Sequence, residues 1–335
     1  AITSPLSEPS PSMPPTSSIS DTTPQYQAAA RASLKRHGKS FAWAAAFLGR
    51  DQADKGARLY EICRAIDDMA DENPAPEATL LLSALRQALT GEKSDEPQAN
   101  AVAENVHRLE DMISLDRRAL MHLIDGVEQD LTPVRLADER ALIRYAYHVA
   151  GTVGLMMCDV FGVDDPTARR HAIDLGIGMQ LTNIARDVLE DARLGRRYIP
   201  TAWVNAAPQE LVTPSDNTEA DTRDAIERLL TLADRYYQSG RAGFGYLPLQ
   251  PRLAIAIAAA VYRAIGLRLR QRGCDYQQGR VVVPRWRKAL ITIGVMLQPG
   301  LYVSRRRQHD MALHQALDGL VAPHPASPHI KDPAA

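Results

Sequence analysis

The sequence predicts an all-α protein, and three observations predict it. Proline, which breaks helix interiors, is absent between Pro133 and Pro166 and again between Pro166 and Pro200, leaving two intervals open to long helices. Apolar residues elsewhere recur near a 3.6-residue period, as at Ala57, Leu59, Tyr60, Ile62, Cys63, Ile66 and Met69. Only Val281-Val282-Val283 reads as a strand, and three residues cannot found a sheet.

Taken in order, residues 1–24 are a Ser- and Pro-rich stretch expected to be a disordered tail, with no basic start and no apolar leader. Helical pattern begins at Gln25, covers Tyr26 to Arg36, is interrupted at Gly38-Lys39-Ser40 and resumes from Phe41 to Leu48. Residues 52–71 form the next helix; Pro74 and Pro76 end that segment, and Leu80 to Leu89 is a short one. A polar loop from Gly91 to Pro97 leads to one or two amphipathic helices over 99–130, closed by Pro133. The two long helices fall at 135–163 and 167–191, with Gly151, Gly154, Gly176 and Gly178 inside them. Glycine within a helix costs roughly 1 kcal/mol against alanine, so these positions imply close helix approach or room for a ligand. Residues 205–218 read as a polar loop, 219–242 and 252–272 as further helices, the second Ala- and Ile-rich and buried. A last apolar stretch, Ala289 to Leu297, precedes Pro299 and Arg305-Arg306-Arg307. With no internal linker, residues 25–320 form one domain, followed by a loose tail at 321–335.

The chain has 335 residues, long enough to bury a sizeable core. Lys plus Arg number 39 against 40 Asp plus Glu, so no global charge points to nucleic acid as a partner, and any anion must be held locally. Cys63, Cys158 and Cys274 are too few and too scattered for a disulfide framework, which favours a reducing cytoplasm.

Two acidic stretches stand out, Asp67-Asp68-Met69-Ala70-Asp71 and Asp187-Val188-Leu189-Glu190-Asp191. On a helix, Asp67 and Asp71 share a face, as do Asp187 and Asp191. Each like-charged pair costs a helix about 0.2–0.5 kcal/mol unless a cation sits between the carboxylates. The first pair also lies at a helix C-terminus, the unfavourable end for negative charge. Oxygen ligands on one face suit Mg²⁺, which is shared readily between carboxylates and substrate phosphates. Arg64 and Arg186 adjoin the pairs, with Arg193, Arg196 and Arg197 following, and guanidinium forks match phosphate oxygens. Gln180 and Asn183 continue a polar stripe on an otherwise apolar helix, costly to bury unless used.

The stretch from Tyr60 through Arg64 to Asp71 resembles the first aspartate-rich motif of the squalene and phytoene synthase family, and Gln180 to Asp191 resembles the second. Between them, Tyr145 to Gly154 is similar to the family's central tyrosine motif. The likeness runs from about residue 26 to about 290 with the motifs in family order. It implies a single-domain isoprenoid synthase bundle around a central cavity, and head-to-head joining of two prenyl diphosphates. By the same resemblance, Asp67, Asp71, Asp187 and Asp191 hold Mg²⁺, or Mn²⁺ in its place, with Asn183 at the second site. Arg64, Arg186 and Ser40 would contact diphosphate, Tyr60, Tyr145 and Tyr262 would line the reacting centre beside Gln180, and Phe41 would form a wall. Gly38 stands where many relatives carry serine, which removes one hydrogen bond to diphosphate.

The preferred expectation is hydride-free 15-cis-phytoene synthesis from two geranylgeranyl diphosphates, without NADPH, for carotenoid biosynthesis and feeding a downstream desaturase. The alternatives are C30 synthesis of dehydrosqualene, squalene or presqualene diphosphate from farnesyl diphosphate, and a catalytically silent helical interaction protein. Terpene cyclisation and chain elongation are weaker, since Arg186-Asp187-Val188 breaks the Asp-Asp pattern elongation uses in its second motif. Glu104-x-x-His107 reads as a surface pair, and His309-Asp310, beside an Arg run near a loose end, is only a weak sign of a metal phosphohydrolase. Residues 289–308, apolar then basic, would allow peripheral contact with the inner face of a membrane.

Overall fold

The computed structural model describes residues 39–321, with side chains from residue 42 onward. The segment Tyr26 to Arg36, Gly38 and the two terminal tails lie outside the described residues, as do the side chains of Ser40 and Phe41.

Among the described residues there is no strand, and one isolated pairing joins Arg135 to Arg197. The helices are α1 (Lys39–Ala45), α2 (Arg50–Asp71), α3 (Ala75–Leu89), α4 (Pro97–Glu110), α5 (Arg117–Gln129), α6 (Glu139–Ala146), α7 (Thr152–Phe161), α8 (Pro166–Arg193), α9 (Pro208–Val212), α10 (Asp216–Ala242), α11 (Leu249–Gln271) and α12 (Arg285–Met296). Proline works as much at their starts as at their ends. Pro76 sits in the first turn of α3, which begins five residues earlier than expected, and Pro97 and Pro166 open α4 and α8. The reason is that the first-turn N–H has no helical partner to lose. Pro208 likewise opens α9, a short helix in what the sequence suggested was loop.

Side-chain caps set several starts. Asp116, Asp138, Asp165 and Ser215 accept from backbone N–H groups of the first turns of α5, α6, α8 and α10. Gly162, at φ 67°, ends α7 in the left-handed conformation that glycine adopts at little cost.

The expected helix over 135–163 is interrupted. Between α6 and α7, Tyr147–Gly151 runs as one π-helical turn. Such turns recur at functional sites because they rotate the side chains on either side of them relative to one another.

α8 is the axis of the molecule, with the α6–α7 segment, α9, α10 and α11 packed around it. Its Ile173, Ile177, Leu181, Ile184, Val188 and Leu189 are all buried. Two glycines set its distance from the α6–α7 segment: a Cβ on Gly154 would lie 2.2 Å from the carbonyl oxygen of Ala172, and one on Gly176 would lie 2.3 Å from that of Ala150. Backbone-to-backbone contact of this kind answers the glycine puzzle at these two positions.

Candidate active site

A cavity of about 360 Å³ runs between α2, α7, α8 and α11. Its walls are mostly small and apolar: Ala45, Gly56 and Ala57 on one side, Gly154, Ala172 and Gly176 on another. Polar side chains gather at one end, where Asp67, Tyr60, Gln180, Asn183 and Tyr262 line it. The opposite end is closed by Phe161, His171 and Phe244.

The polar end is built by the C-terminal turns of α2 and α8. Burial, and then the neighbouring Asp71, push the Asp67 carboxyl up to about 7, against the pull of Arg64. Burial and then Asp187 likewise push Asp191 up to about 7, against Arg196. Both therefore hold protons more tightly than ordinary carboxylates, because burial first and a neighbouring acid second disfavour the charged form.

The charge that is present is arranged in ion pairs. Arg186 and Arg280 both pair with Asp187, Arg280 Nε lying 3.0 Å from Oδ1. Arg196 bridges the two helices, its Nη2 2.9 Å from Asp71 Oδ1. Arg64 pairs with Asp68 at 2.5 Å, one turn on, so its salt bridge goes to Asp68 and not to Asp67 three residues away. Arg197 belongs to none of this: it is buried and donates to Val204 O, Ala206 O and Thr201, a structural role.

Tyr145 is tied to the cluster by a residue the sequence did not flag. Its hydroxyl donates to Asp130 Oδ2 at 2.9 Å, and Tyr198 donates to the other oxygen at 3.1 Å. The two rings stack with centroids 4.9 Å apart. Burial pushes Asp130 up to about 6 in spite of both hydrogen bonds and Arg196, and Asp71 adds to the rise. Asp130 follows α5 and Tyr198 follows α8, so only the fold joins them. Tyr262, beside Arg186, is pushed by burial up to about 12.

Do these residues fit divalent metal? Asn183 Nδ2 bonds to Gln180 Oε1 at 3.3 Å, which leaves the buried Asn183 Oδ1 with no partner. An unpartnered buried amide oxygen beside carboxylates that hold protons up to neutral pH is the donor set of a hard cation. The fit is therefore good for Asp67, Asp71, Asn183, Asp187 and Asp191.

Two weaker sequence signals resolve differently. Glu104 pairs with Arg108 at 2.6 Å, an ordinary surface contact. His309, expected near a loose end, instead has a side chain only 2% exposed, against Asp174. The segment carrying it is held across α8 and α10, so the basic run ahead of it is exposed while the histidine is not.

Comparison with known proteins follows the same lines. The squalene/phytoene synthase family model matches residues 34–287. The 15-cis-phytoene synthase of Paracoccus sp. (strain N81106 / MBIC 01143) is 38% identical over 290 residues, covering 82% of this chain and 90% of that one. The phytoene synthase of Thermus thermophilus is 35% identical over 278 residues, covering 80% and 91%. In structure, a dehydrosqualene synthase crystallised with ligand superposes with a TM-score of 0.71 at 25% identity, covering 81% of this chain and 95% of that one. With matching motifs, an all-α bundle and a carboxylate-mouthed cavity in one chain, this protein belongs to the squalene/phytoene synthase family and is a prenyltransferase.

Proposed function

We propose that the chain joins two geranylgeranyl diphosphates head to head into 15-cis-phytoene, through prephytoene diphosphate, with release of two diphosphates. The observation that carries this reading is one apolar cavity with two acid-bearing helix ends at its mouth. Asp67, Asp71, Asn183, Asp187 and Asp191 would hold Mg²⁺, which neutralises the charge that develops on a departing diphosphate. Arg64, Arg186, Arg196 and Arg280 supply the remaining positive charge around that leaving group. The apolar walls keep water from the allylic cation until the second substrate's double bond attacks it. Loss of a proton closes the cyclopropane, and a second ionisation, rearrangement and proton loss complete the hydrocarbon. Tyr145, which donates its hydroxyl proton to Asp130 and does not itself line the cavity, would steady these cations from behind the wall, and the released diphosphate or Tyr145 would accept the protons.

The cavity supports the C20 substrate. From Asn183 at its mouth to Ala168 at its far end, α8 rises about 22 Å along the lining. Each isoprene unit, four carbon–carbon bonds, extends roughly 5 Å, so four units span most of that length and three leave about 7 Å of it unfilled.

The test is incubation of the purified chain with Mg²⁺ and either C15 or C20 diphosphate, with and without NADPH, and analysis of the hydrocarbon. A C40 product without NADPH is expected. Squalene appearing only with NADPH would assign the C30 reaction instead.

A membrane surface is the second part of the proposal, because the product is lipid-soluble and a desaturase must receive it. No helix among the described residues is long and apolar enough to cross a membrane. α12 instead carries Trp286, Leu290, Ile293 and Leu297 exposed on one side, at 64, 59, 54 and 74%. Its other side is anchored by Trp43 Nε1, which donates to Thr292 at 2.9 Å. Arg285 and Arg305-Arg306-Arg307 are exposed nearby in the chain, which fits an anionic surface. Replacing Leu290 and Ile293 by Ser is expected to cut co-flotation with anionic vesicles by about tenfold and to leave detergent-assayed turnover alone. Unchanged flotation would refute the docking face.

A further inference from the structure

The far end of α8 holds a second buried acid, Asp174, which the reaction does not use. It is 0% exposed, and its ion-pair partners among the described residues are two imidazoles. The C-terminal segment delivers both: His309 Nε2 lies 2.7 Å from Asp174 Oδ2, and His314 Nε2 lies 2.8 Å from Oδ1. Tyr236 fixes that segment by donating to Leu313 O at 3.0 Å, and Tyr246 by donating to Arg307 O at 3.0 Å. Ser239 of α10 donates its hydroxyl to Asp174 Oδ2. His171, one turn before Asp174 and 2% exposed, sets Nδ1 3.1 Å from Ser239 Oγ and Nε2 3.2 Å from Arg307 O.

Counting protons shows a shortfall. A carbonyl only accepts, so His171 carries its proton on Nε2, toward Arg307. Ser239 has a single proton, and it faces a carboxylate oxygen, which also only accepts. His171 Nδ1 therefore meets an oxygen with no proton left to give. Lone pair faces lone pair, buried beside a carboxylate, and the network lacks one positive charge.

His171, Asp174 and His309 each offer a ligand atom here, and those atoms lie within 4.8 Å of one another. Zinc bonds to imidazole nitrogen and carboxylate oxygen run about 2.0–2.2 Å, so one ion can reach all three. A backbone carbonyl holding the outer nitrogen of a histidine, as Arg307 O does for His171, is the usual second support of a metal-bound imidazole. We propose that His171, Asp174 and His309 bind a zinc-class divalent ion, with His314 bracing the other oxygen of Asp174. The ion clasps the C-terminal segment onto α8 and α10 behind the cavity floor that His171 helps to form. Two nitrogens and one carboxylate suit zinc, whereas the all-oxygen set at the mouth suits magnesium. The site is closed to solvent, so its task is structural.

The experiment is metal analysis of full-length, untagged protein from zinc-supplemented cells, purified without chelator and dialysed against metal-depleted buffer containing Mg²⁺. Wild type and Asp187→Ala should each retain about one zinc per chain, and His309→Gln and His171→Gln should lose most of it. Stripping zinc from wild type should lower Tm by several degrees, and zinc but not magnesium should restore it. The wild-type measurements need no variant to fold. Wild type with less than about a tenth of a zinc per chain and no Tm response to added zinc would overturn the proposal, a proton then supplying the charge. Full zinc retention in a folded His309→Gln would overturn it equally.

Discussion

The two ends of α8 present the same residue type in opposite states. At the mouth, burial and Asp187 push Asp191 up to about 7. At the far end burial would raise Asp174 too, yet hydrogen bonds from His309 and His314 hold it below the usual carboxylate range. The chain gives Asp174 two imidazole partners from its own C-terminal segment, whereas Asp67 and Asp191 face other carboxylates. The acids at the mouth are thus raised by burial and by one another, whereas the acid at the far end is held low by the segment it fastens.

The largest effect should come from removing acids at the mouth. Asp187→Ala and Asp67→Ala are each expected to lower kcat by about 10³-fold while circular dichroism keeps the wild-type helix content. Turnover within tenfold of wild type would break the comparison. Asp174→Asn should do the reverse, costing about 3 kcal/mol of stability in thermal melts while kcat at low temperature stays near wild type. A smaller loss, about 10²-fold in kcat with KM little changed, is expected for Asp130→Asn. Tyr198→Phe, which removes one of the two hydrogen bonds to Asp130 and keeps its charge, should lose less, and equal losses would mean that Asp130 acts through the Tyr198 hydrogen bond and not by charge.

The smallest effect is in pH. The folded carboxyls of Asp67 and Asp191 are raised, so the metal-free fold binds more protons than the unfolded chain between the ordinary carboxylate range and about 7. Its stability is accordingly greatest on the acid side and is lost as pH rises through 7. Metal-free protein should melt a few degrees higher at pH 6 than at pH 8. Mg²⁺, which must displace those protons, should bind more tightly at pH 8. Calorimetry in two buffers of different ionisation enthalpy would report the proton release.

Much of this was legible in the sequence, for definite reasons. Helices are local, so proline spacing and periodicity located them to within a few residues. Both aspartate pairs are i, i+4 features of single helices and were visible as such. What stayed hidden depends on distance in the chain. Asp130 and Tyr198 meet Tyr145 from different loops, and Arg280 reaches Asp187 across 93 positions. The π turn at Tyr147–Gly151 has no sequence sign beyond its glycine. His309 was misread because its neighbours are three exposed arginines, and only packing on α8 reverses that impression.

Arg196 and Arg280 now stand where cations would sit, on Asp71 and Asp187. A metal ion that takes either carboxylate sets a guanidinium loose beside the incoming diphosphate. A diphosphate that draws an arginine away bares a carboxylate for the metal. By thermodynamic reciprocity each ligand must then tighten the other by the same factor. On the proposed reading the mouth would thus be a self-inhibited receptor that metal and substrate load together.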